Sequence, residues 1–308
     1  MKKFSTIVLS IIFFQISFAS KSDKISAADI LINRRQSEFR VAQSGKSLDN
    51  INSSDAKAAL EIWFNQFFKE NNYDVKINVA LYNNIDLIIN DLNENKIDYL
   101  TLNSIEYCRI KEKVPIEGLM AGYQNRKITK DLVLVTRRGD IKTLKDLQNK
   151  KIIVDISNFG DLPIMWLDTM LLKANMPAHM FFFKSVKKVY KSSQAVMPVY
   201  FNQDFDACLL NENAYNILTE LNPNISEKLR IIERSPSFLG RIFCASKNTD
   251  QEMKKKLIGM INDMNNNVKS KQGLALFKVD KLVLFDSKDM ATVENLIKEY
   301  DELLNKKK

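Results

Sequence analysis

The sequence predicts an α/β protein of two units, each with a mixed, mainly parallel sheet flanked by helices. The first observation is a set of short apolar runs, such as residues 152–156, of the kind that a parallel sheet buries on both faces. The second is that longer segments with helical periodicity separate these runs. The third is the resulting order, βαβαβ, which calls for parallel strands joined by right-handed crossovers.

The first 19 residues have the pattern of a secretory signal peptide. Lys2 and Lys3 form a basic start, residues 7–16 are largely apolar, and residues 17–19 fit a small-x-small cleavage site. No cysteine follows the site to carry a lipid anchor, and no later stretch is long enough to span a membrane. We therefore expect an exported, periplasmic protein, whose polar residues 20–37 form a flexible leader.

The mature chain is long enough for two domains. When Lys2 and Lys3 are removed, the 46 basic residues fall to 44 against 37 acidic ones, which leaves a net charge of +7. Most of these lysines are expected on solvated faces. Three cysteines, Cys108, Cys208 and Cys244, lie far apart without CxxC spacing, so the sequence allows either one disulfide with a free thiol or three free thiols.

The first unit begins after the leader. Its predicted strands are residues 39–42, 75–79 and 97–102, and its predicted helices start near Asp55 and Ile85. The second unit repeats this arrangement, and the sequence shows no detectable repeat between the two. Its predicted strands and helices, in chain order, are strand 132–136, a short helix after Thr143, strand 152–156, a helix from Leu162, a helix at 195–200, strand 205–210, helix 213–221 and strand 229–232.

A further strand at 239–245 and two terminal helical stretches have no sheet of their own to cover. We expect them to return to the first unit. The predicted lobes are then residues 38–130 with 235–308, and residues 131–234. The two connections, near Asp131 and near Ser235, would act as a double hinge.

Residues 157–161 connect the central strand to the helix that begins at Leu162. Such a loop can present backbone N–H groups and the positive end of a helix dipole to an anion, although a simple capped turn has the same sequence character. The turn at residues 103–107 should open at the same kind of sheet edge, where ligands of open parallel sheets bind. We therefore expect Ser157, Asn158 and Gly160 to face Ser104 and Tyr107 across a ligand.

Residue types needed for common catalytic sites are scarce. His179 is the only histidine, so no histidine triad forms without it, and no HExxH motif exists to hold a metal. Neither GxxxxGK[ST] nor GxGxxG occurs. Basic and aromatic residues mix at 186–193, but export argues against a nucleic-acid partner. We expect no enzyme, no metal, no cofactor and no nucleic acid.

Several stretches resemble the phosphate/phosphonate-type periplasmic binding proteins of ABC transporters. They are FRV at 39–41, KIDYL at 96–100, TLKDLQNKKI at 143–152 and DFDA at 204–207. The resemblance implies a two-lobed type II periplasmic-binding-protein fold that closes on a small ligand. This chain has Ser157-Asn158-Phe159-Gly160 where the phosphonate binders have S-T-S-G, so the resemblance supports the architecture better than phosphonate specificity.

The resemblance implies a monomeric solute-binding protein that serves an ABC transporter permease. Its ligand would be a small anion or zwitterion, bound by Ser44, Ser104, Tyr107, Ser157, Asn158, Gly160 and Asp206. Asp206 would suit an ammonium group, or it is a structural turn residue. The alternative function is an exported module that kept the fold and acts with a membrane sensor.

Export is expected to remove residues 1–19 and leave Ser20 as the first residue. Intact-mass measurement of protein from the periplasmic fraction checks this expectation. Recovery only from the cytoplasm, with Met1 retained, would contradict it.

Overall fold

Two β-sheets, of six and five strands, organise the computed structural model. It describes residues 38–45, 53–73, 75–124, 127–157, 159–201, 204–276 and 278–306. The predicted signal peptide, the predicted leader and Asn158 lie outside these ranges.

In the six-stranded sheet, the first three strands of the chain lie next to one another at one side. Its strands are β1 (Glu38–Ser44), β2 (Lys76–Tyr82), β3 (Tyr99–Asn103), β4 (Ile116–Tyr123), β12 (Arg241–Ser246) and β13 (Lys281–Leu284). The order is β13-β4-β12-β3-β1-β2. β1 is parallel to both β2 and β3, whereas β12 is antiparallel to β3 and β4.

The five-stranded sheet repeats this plan. Its strands are β6 (Leu132–Arg137), β7 (Lys151–Asp155), β8 (Ser185–Val189), β9 (Ala207–Asn211) and β10 (Leu229–Arg234). The order is β10-β6-β9-β7-β8, with β7 parallel to β8 and β9, and with β6 antiparallel to β9. The predicted α/β fold of two lobes with mixed sheets is therefore confirmed. The prediction that the sheets are mainly parallel is wrong, because β12, β13, β6 and β10 add antiparallel pairs to each parallel core.

Helices flank both sheets. They are α1 (Ser53–Glu70), α2 (Ile85–Asn93), α3 (Ser104–Ile110), α4 (Leu162–Lys173), α5 (His179–Phe182), α6 (Ser192–Tyr200), α7 (Glu212–Leu221), α8 (Asn224–Lys228), α9 (Gln251–Gly259), α10 (Ile261–Asn266), α11 (Val268–Leu276) and α12 (Ala291–Asn305). Short 3-10 turns lie at Leu144–Leu147 and Ser287–Met290. None of the helices in the described ranges combines the length and the apolar character needed to cross a bilayer.

The corresponding strand orders of the two sheets reveal a short sequence repeat. Residues 98–107 and 206–215 share the pattern D-x-x-x-L-N-x-x-x-Y. In each copy the aspartate precedes a strand, β3 or β9, the asparagine caps the following helix through its Oδ1, and the tyrosine is buried. Four matching residues in ten become recognisable as a repeat only when β3 and β9 are known to be equivalent strands.

Strand β4 was also missed, since its sequence IEGLMAGY lacks a two-residue alternation. Its glycines have a packing role. A Cβ atom on Gly118 would lie 2.5 Å from the Phe285 ring, and one on Gly122 would collide with Val279. Glycine therefore lets the segments that flank β13 approach the strand closely.

A two-stranded ribbon joins the sheets. Strands β5 (Thr129–Lys130) and β11 (Phe238–Leu239) pair antiparallel, one on each of the two chain connections. The Leu132 N–H donates to Ser235 Oγ at 2.8 Å, and the Ser235 N–H donates to the Leu132 carbonyl at 2.9 Å. The two connections expected to form the double hinge thus lie side by side.

Helix α12 contacts both lobes. Buried Val293, Leu296 and Ile297 join an apolar cluster that also contains α4 and β3 side chains. Ion pairs link α12 to α3 through Arg109 and Asp301, whose closest atoms are 2.5 Å apart. The assignment of residues 235–308 to the first lobe stays a prediction.

Replacing Leu296 with alanine should lower the free energy of unfolding by about 2–5 kcal/mol, because a side chain only 6% exposed leaves a cavity. Urea unfolding followed by circular dichroism measures this loss. The control is Leu221→Ala, at a leucine 79% exposed on α7, which should change stability by less than about 0.5 kcal/mol. Equal effects of the two substitutions would contradict the described packing of α12.

The three cysteines are free thiols in this structure, which resolves the alternatives left open by the sequence. Burial is the main cause that raises the pKa of Cys108, to about 12, and burial also raises the pKa of Cys208 and of Cys244. At pH 8, a thiol with a pKa of about 12 is a thiolate in only about 1 molecule in 10,000.

The folded protein should therefore react very slowly with a thiolate-directed reagent such as DTNB at pH 8. In guanidinium chloride all three thiols should react. Fast release of one equivalent of chromophore from the folded protein would contradict the described burial.

Candidate functional site

A buried carboxylate organises the carboxyl edge of the six-stranded sheet. Glu106 Oε1 accepts a hydrogen bond from Ser44 Oγ at 2.7 Å, and Oε2 accepts one from the Asn103 N–H at 3.1 Å. Asn103 Oδ1 accepts in return from the Glu106 N–H at 2.9 Å, which completes a capping box at the start of α3. The carboxylate therefore joins the end of β1 to the turn after β3.

Ser104 lies at this edge and is fully buried. Its N–H donates to the Gly240 carbonyl at 3.0 Å, just before β12. Its Oγ has no hydrogen-bond partner among the described residues. A buried hydroxyl without a partner is costly, so this atom is a candidate for contact with a ligand.

Tyr107 lies below the edge, inside the lobe. Its ring centroid is 5.7 Å from that of Phe285, in an edge-to-face arrangement. The pKa of Tyr107 is raised chiefly by burial, and a hydrogen bond with the Gly118 backbone acts in the opposite direction. These contacts give Tyr107 a packing role in α3, and its expected contact with a ligand stays a prediction.

The loop after β7 uses its own N–H groups. Asp155 Oδ1 accepts from the Ser157 N–H at 2.9 Å, and the Ile156 carbonyl accepts from Phe159 and Gly160 at 3.3 and 3.1 Å. Gly160 has a φ of +59°, a left-handed conformation that glycine adopts readily. The Ser157 and Gly160 N–H groups that were expected to face an anion are therefore engaged within the turn.

Phe159 and Asp161 complete this loop. The Phe159 side chain is 2% exposed and packs in the core, with Lys130 Nζ 5.8 Å from its ring centroid, within cation–π range. Asp161 precedes α4 and makes no capping hydrogen bond; its Oδ1 lies 2.9 Å from Lys188 Nζ. Phe159 thus fills space in the loop, and Lys130 from the ribbon reaches over it.

Asp206 lies at the opposite edge of the sheet from this loop. Its Oδ2 accepts from the Lys151 N–H at 2.9 Å, and its Oδ1 lies 3.5 Å from Arg137. Asp206 immediately precedes β9 (Ala207–Asn211), so roughly 15 Å separates it from Asn211 at the other end of the strand. Of the two roles considered for Asp206, the structure places it in the structural one.

A polar pocket of about 130 Å³ lies between the ribbon and the start of α7. Its lining residues are Gln124, Lys127, Thr129, Lys130, Asp131, Asn211, Glu212, Asn213 and Asn216. None of them was predicted as a site residue. They come from two segments about 80 residues apart, and the one local signal was the group of asparagines at positions 211, 213 and 216.

The pocket presents charges of both signs. Lys127 Nζ lies 3.5 Å from Asp131, and Glu212 Oε1 accepts from Arg234 Nε at 2.9 Å. Asn211 Oδ1 accepts from the Ala214 N–H at 3.1 Å, while its buried Nδ2 has no hydrogen-bond partner in the described part of the chain. Nδ2 is a donor only, so it can bind an oxygen atom of a ligand.

Among the described residues, no group of three or more histidine, cysteine, aspartate or glutamate side chains is arranged to hold a metal ion. His179 instead pairs through Nδ1 with the buried Asp168, at 2.8 Å, between α4 and α5.

Two lobes with equivalent sheets, a paired connection between them and polar turns at their carboxyl edges define a type II periplasmic-binding fold. The family model described as the periplasmic substrate-binding protein of phosphonate ABC transporters matches residues 50–290. The chain therefore belongs to this family of periplasmic solute-binding proteins. No curated protein sequence matches the chain.

Solved structures show the same fold at low sequence identity. The binding-protein component of an ABC phosphonate transporter from Pseudomonas aeruginosa has a TM-score of 0.60 and 16% identity, over 87% of this chain and 88% of that chain. PhnD1 from Prochlorococcus marinus, in complex with methylphosphonate, has a TM-score of 0.58 and 16% identity, over 86% and 99%. A Xanthomonas citri protein bound to chloride has a TM-score of 0.62 and 11% identity, over 87% and 99%.

Proposed function

We propose that this protein captures a small anionic or zwitterionic solute between its lobes and delivers it to the permease of an ABC importer. Membership of the substrate-binding family supports transport. The proposal includes export through cleavage of residues 1–19. The observation that carries ligand binding is the polar pocket beside the ribbon, where Asn211 Nδ2 is buried without a partner among the described residues.

The proposed site combines the pocket with the two sheet edges. Ser44 and Ser104 lie at the edge of the first lobe, and Ser157, Asn158 and Gly160 belong to the loop of the second. Tyr107 and Asp206 are left out because one packs in the core and the other lies at the far edge. Bending at the β5–β11 ribbon would bring the two edges together on the ligand.

The pocket's chemistry suits a ligand with both an acidic and a basic group. Lys130 and the Asn211 amide offer donors to an acidic group, and Glu212 and Asp131 offer acceptors to an ammonium group. A volume of about 130 Å³ is close to that of a cavity of about 150 Å³ that holds benzene, so the pocket suits a small solute.

Native mass spectrometry of freshly purified mature protein should reveal a retained small molecule, and calorimetry with phosphate, methylphosphonate, sulfonates and amino acids should identify a ligand. The double variant Asn213→Ala/Asn216→Ala removes two pocket amides and should weaken binding by about 10- to 100-fold, as expected for two lost hydrogen bonds.

The matched control is Asn262→Ala/Asn266→Ala, which removes two exposed amides from α10 and should leave affinity unchanged. The variant Ser157→Ala/Asn158→Ala tests the loop in the same assay. If no panel member binds and no small molecule is retained, the solute-binding proposal fails. If a ligand binds to Asn213→Ala/Asn216→Ala and to Ser157→Ala/Asn158→Ala as well as it binds to the wild type, the proposed site is wrong.

A further inference from the structure

We propose that Glu106 and Asp155 are a matched pair of positioning residues, one in each lobe. Each is a buried carboxylate that holds two turns of the ligand edge in one fixed arrangement. The inference rests on the proposed function, because holding these turns matters for binding only if a ligand binds at these sheet edges. Its physical content is independent of any ligand.

Asp155 bridges two separate loops of the second lobe. Asp155 is the last residue of β7 and is only 3% exposed. Oδ1 accepts from the Ser157 N–H at 2.9 Å, in the loop that leads to α4. Oδ2 accepts from Ser192 Oγ at 2.6 Å, at the first residue of α6. One carboxylate therefore connects the turns that follow β7 and β8.

Glu106 makes the corresponding bridge in the first lobe. Its two oxygens accept from Ser44 Oγ, at the end of β1, and from the Asn103 N–H, at the end of β3. In both lobes the carboxylate lies at the edge where parallel strands end, and in both it joins a hydroxyl from one turn to a backbone N–H from another. The position along the chain differs, because Asp155 ends a strand and Glu106 lies within a helix.

The opposite edges of the sheets provide natural controls. Asp98 Oδ2 accepts from the Arg40 N–H at 2.9 Å, and Asp206 Oδ2 accepts from the Lys151 N–H at 2.9 Å. These carboxylates are the same kind of acceptor on the same sheets, but they connect strand starts. If all four carboxylates were merely structural, removing any of them should have similar effects on hydrogen exchange. If Glu106 and Asp155 are bridges, only their removal should loosen the ligand-edge turns.

A buried ionised group is retained only when hydrogen bonds compensate its desolvation, and bonds to a charged acceptor are stronger than neutral ones. A serine or threonine at position 155 would offer one oxygen, which cannot hold two turns in the same way. Turns fixed before a ligand arrives lose less conformational entropy on binding, so the bridges would favour affinity through preorganisation.

Hydrogen exchange of the unliganded mature protein, read by mass spectrometry with residue-level fragmentation, tests the bridge. In Asp155→Ala, exchange should rise at least about tenfold at the Ser157 amide and in residues 190–194, while the core strands keep their protection. In Ser192→Ala, only the turn at 190–194 should loosen, because the bond to Ser157 survives. In Asp206→Ala, neither turn should change.

In the first lobe, Glu106→Ala should speed exchange at Asn103 and in the turn after β1, and Asp98→Ala should not. Unchanged exchange at both turns in Asp155→Ala and Glu106→Ala would overturn the proposal. So would loosening that is uniform over the whole lobe, or equal in the Asp206→Ala control. The assay uses no ligand, so failure of the solute screen leaves this result intact, and failure of the bridge leaves solute binding intact.

Discussion

The register of the central parallel strands determines where everything else in each lobe can lie. Asp98 and Asp206 fix that register at the start of β3 and β9, by accepting the backbone N–H of the neighbouring strand. A slip of one residue would turn every side chain to the other face of the sheet. Because paired strands begin together and have similar lengths, they also end together, and their ends form the polar edges.

The two-lobed α/β plan was predictable from the sequence, because strand and helix periods are local properties. The run at 152–156 and the helix after it were both readable in this way. Strands β4, β8 and β13 were not predicted from the sequence. Their short or glycine-containing sequences carry little alternation, and their place in the sheet depends on partners far along the chain.

The site was less predictable, because it depends on contacts between residues that are far apart in the chain. Polar turns after strands are visible in sequence, but the use of their N–H groups depends on exact geometry, as the internal bonds of Ser157 and Gly160 show. The pocket depends on proximity of residues 124–131 and 211–216, which no local pattern encodes. Phe159 is a separate case. It stands where the phosphonate binders have a serine, so the loop has a buried ring in place of a hydroxyl donor, while the fold around it persists.

Helix α12 contacts the ribbon and both lobes. Thr292 Oγ1, at its start, donates to the Ser237 carbonyl at 2.6 Å beside the ribbon, and the helix then extends about 22 Å in contact with α3 and α4. The helix therefore touches the ribbon and a helix of each sheet unit, so any change in the angle between the lobes must also alter the packing around α12.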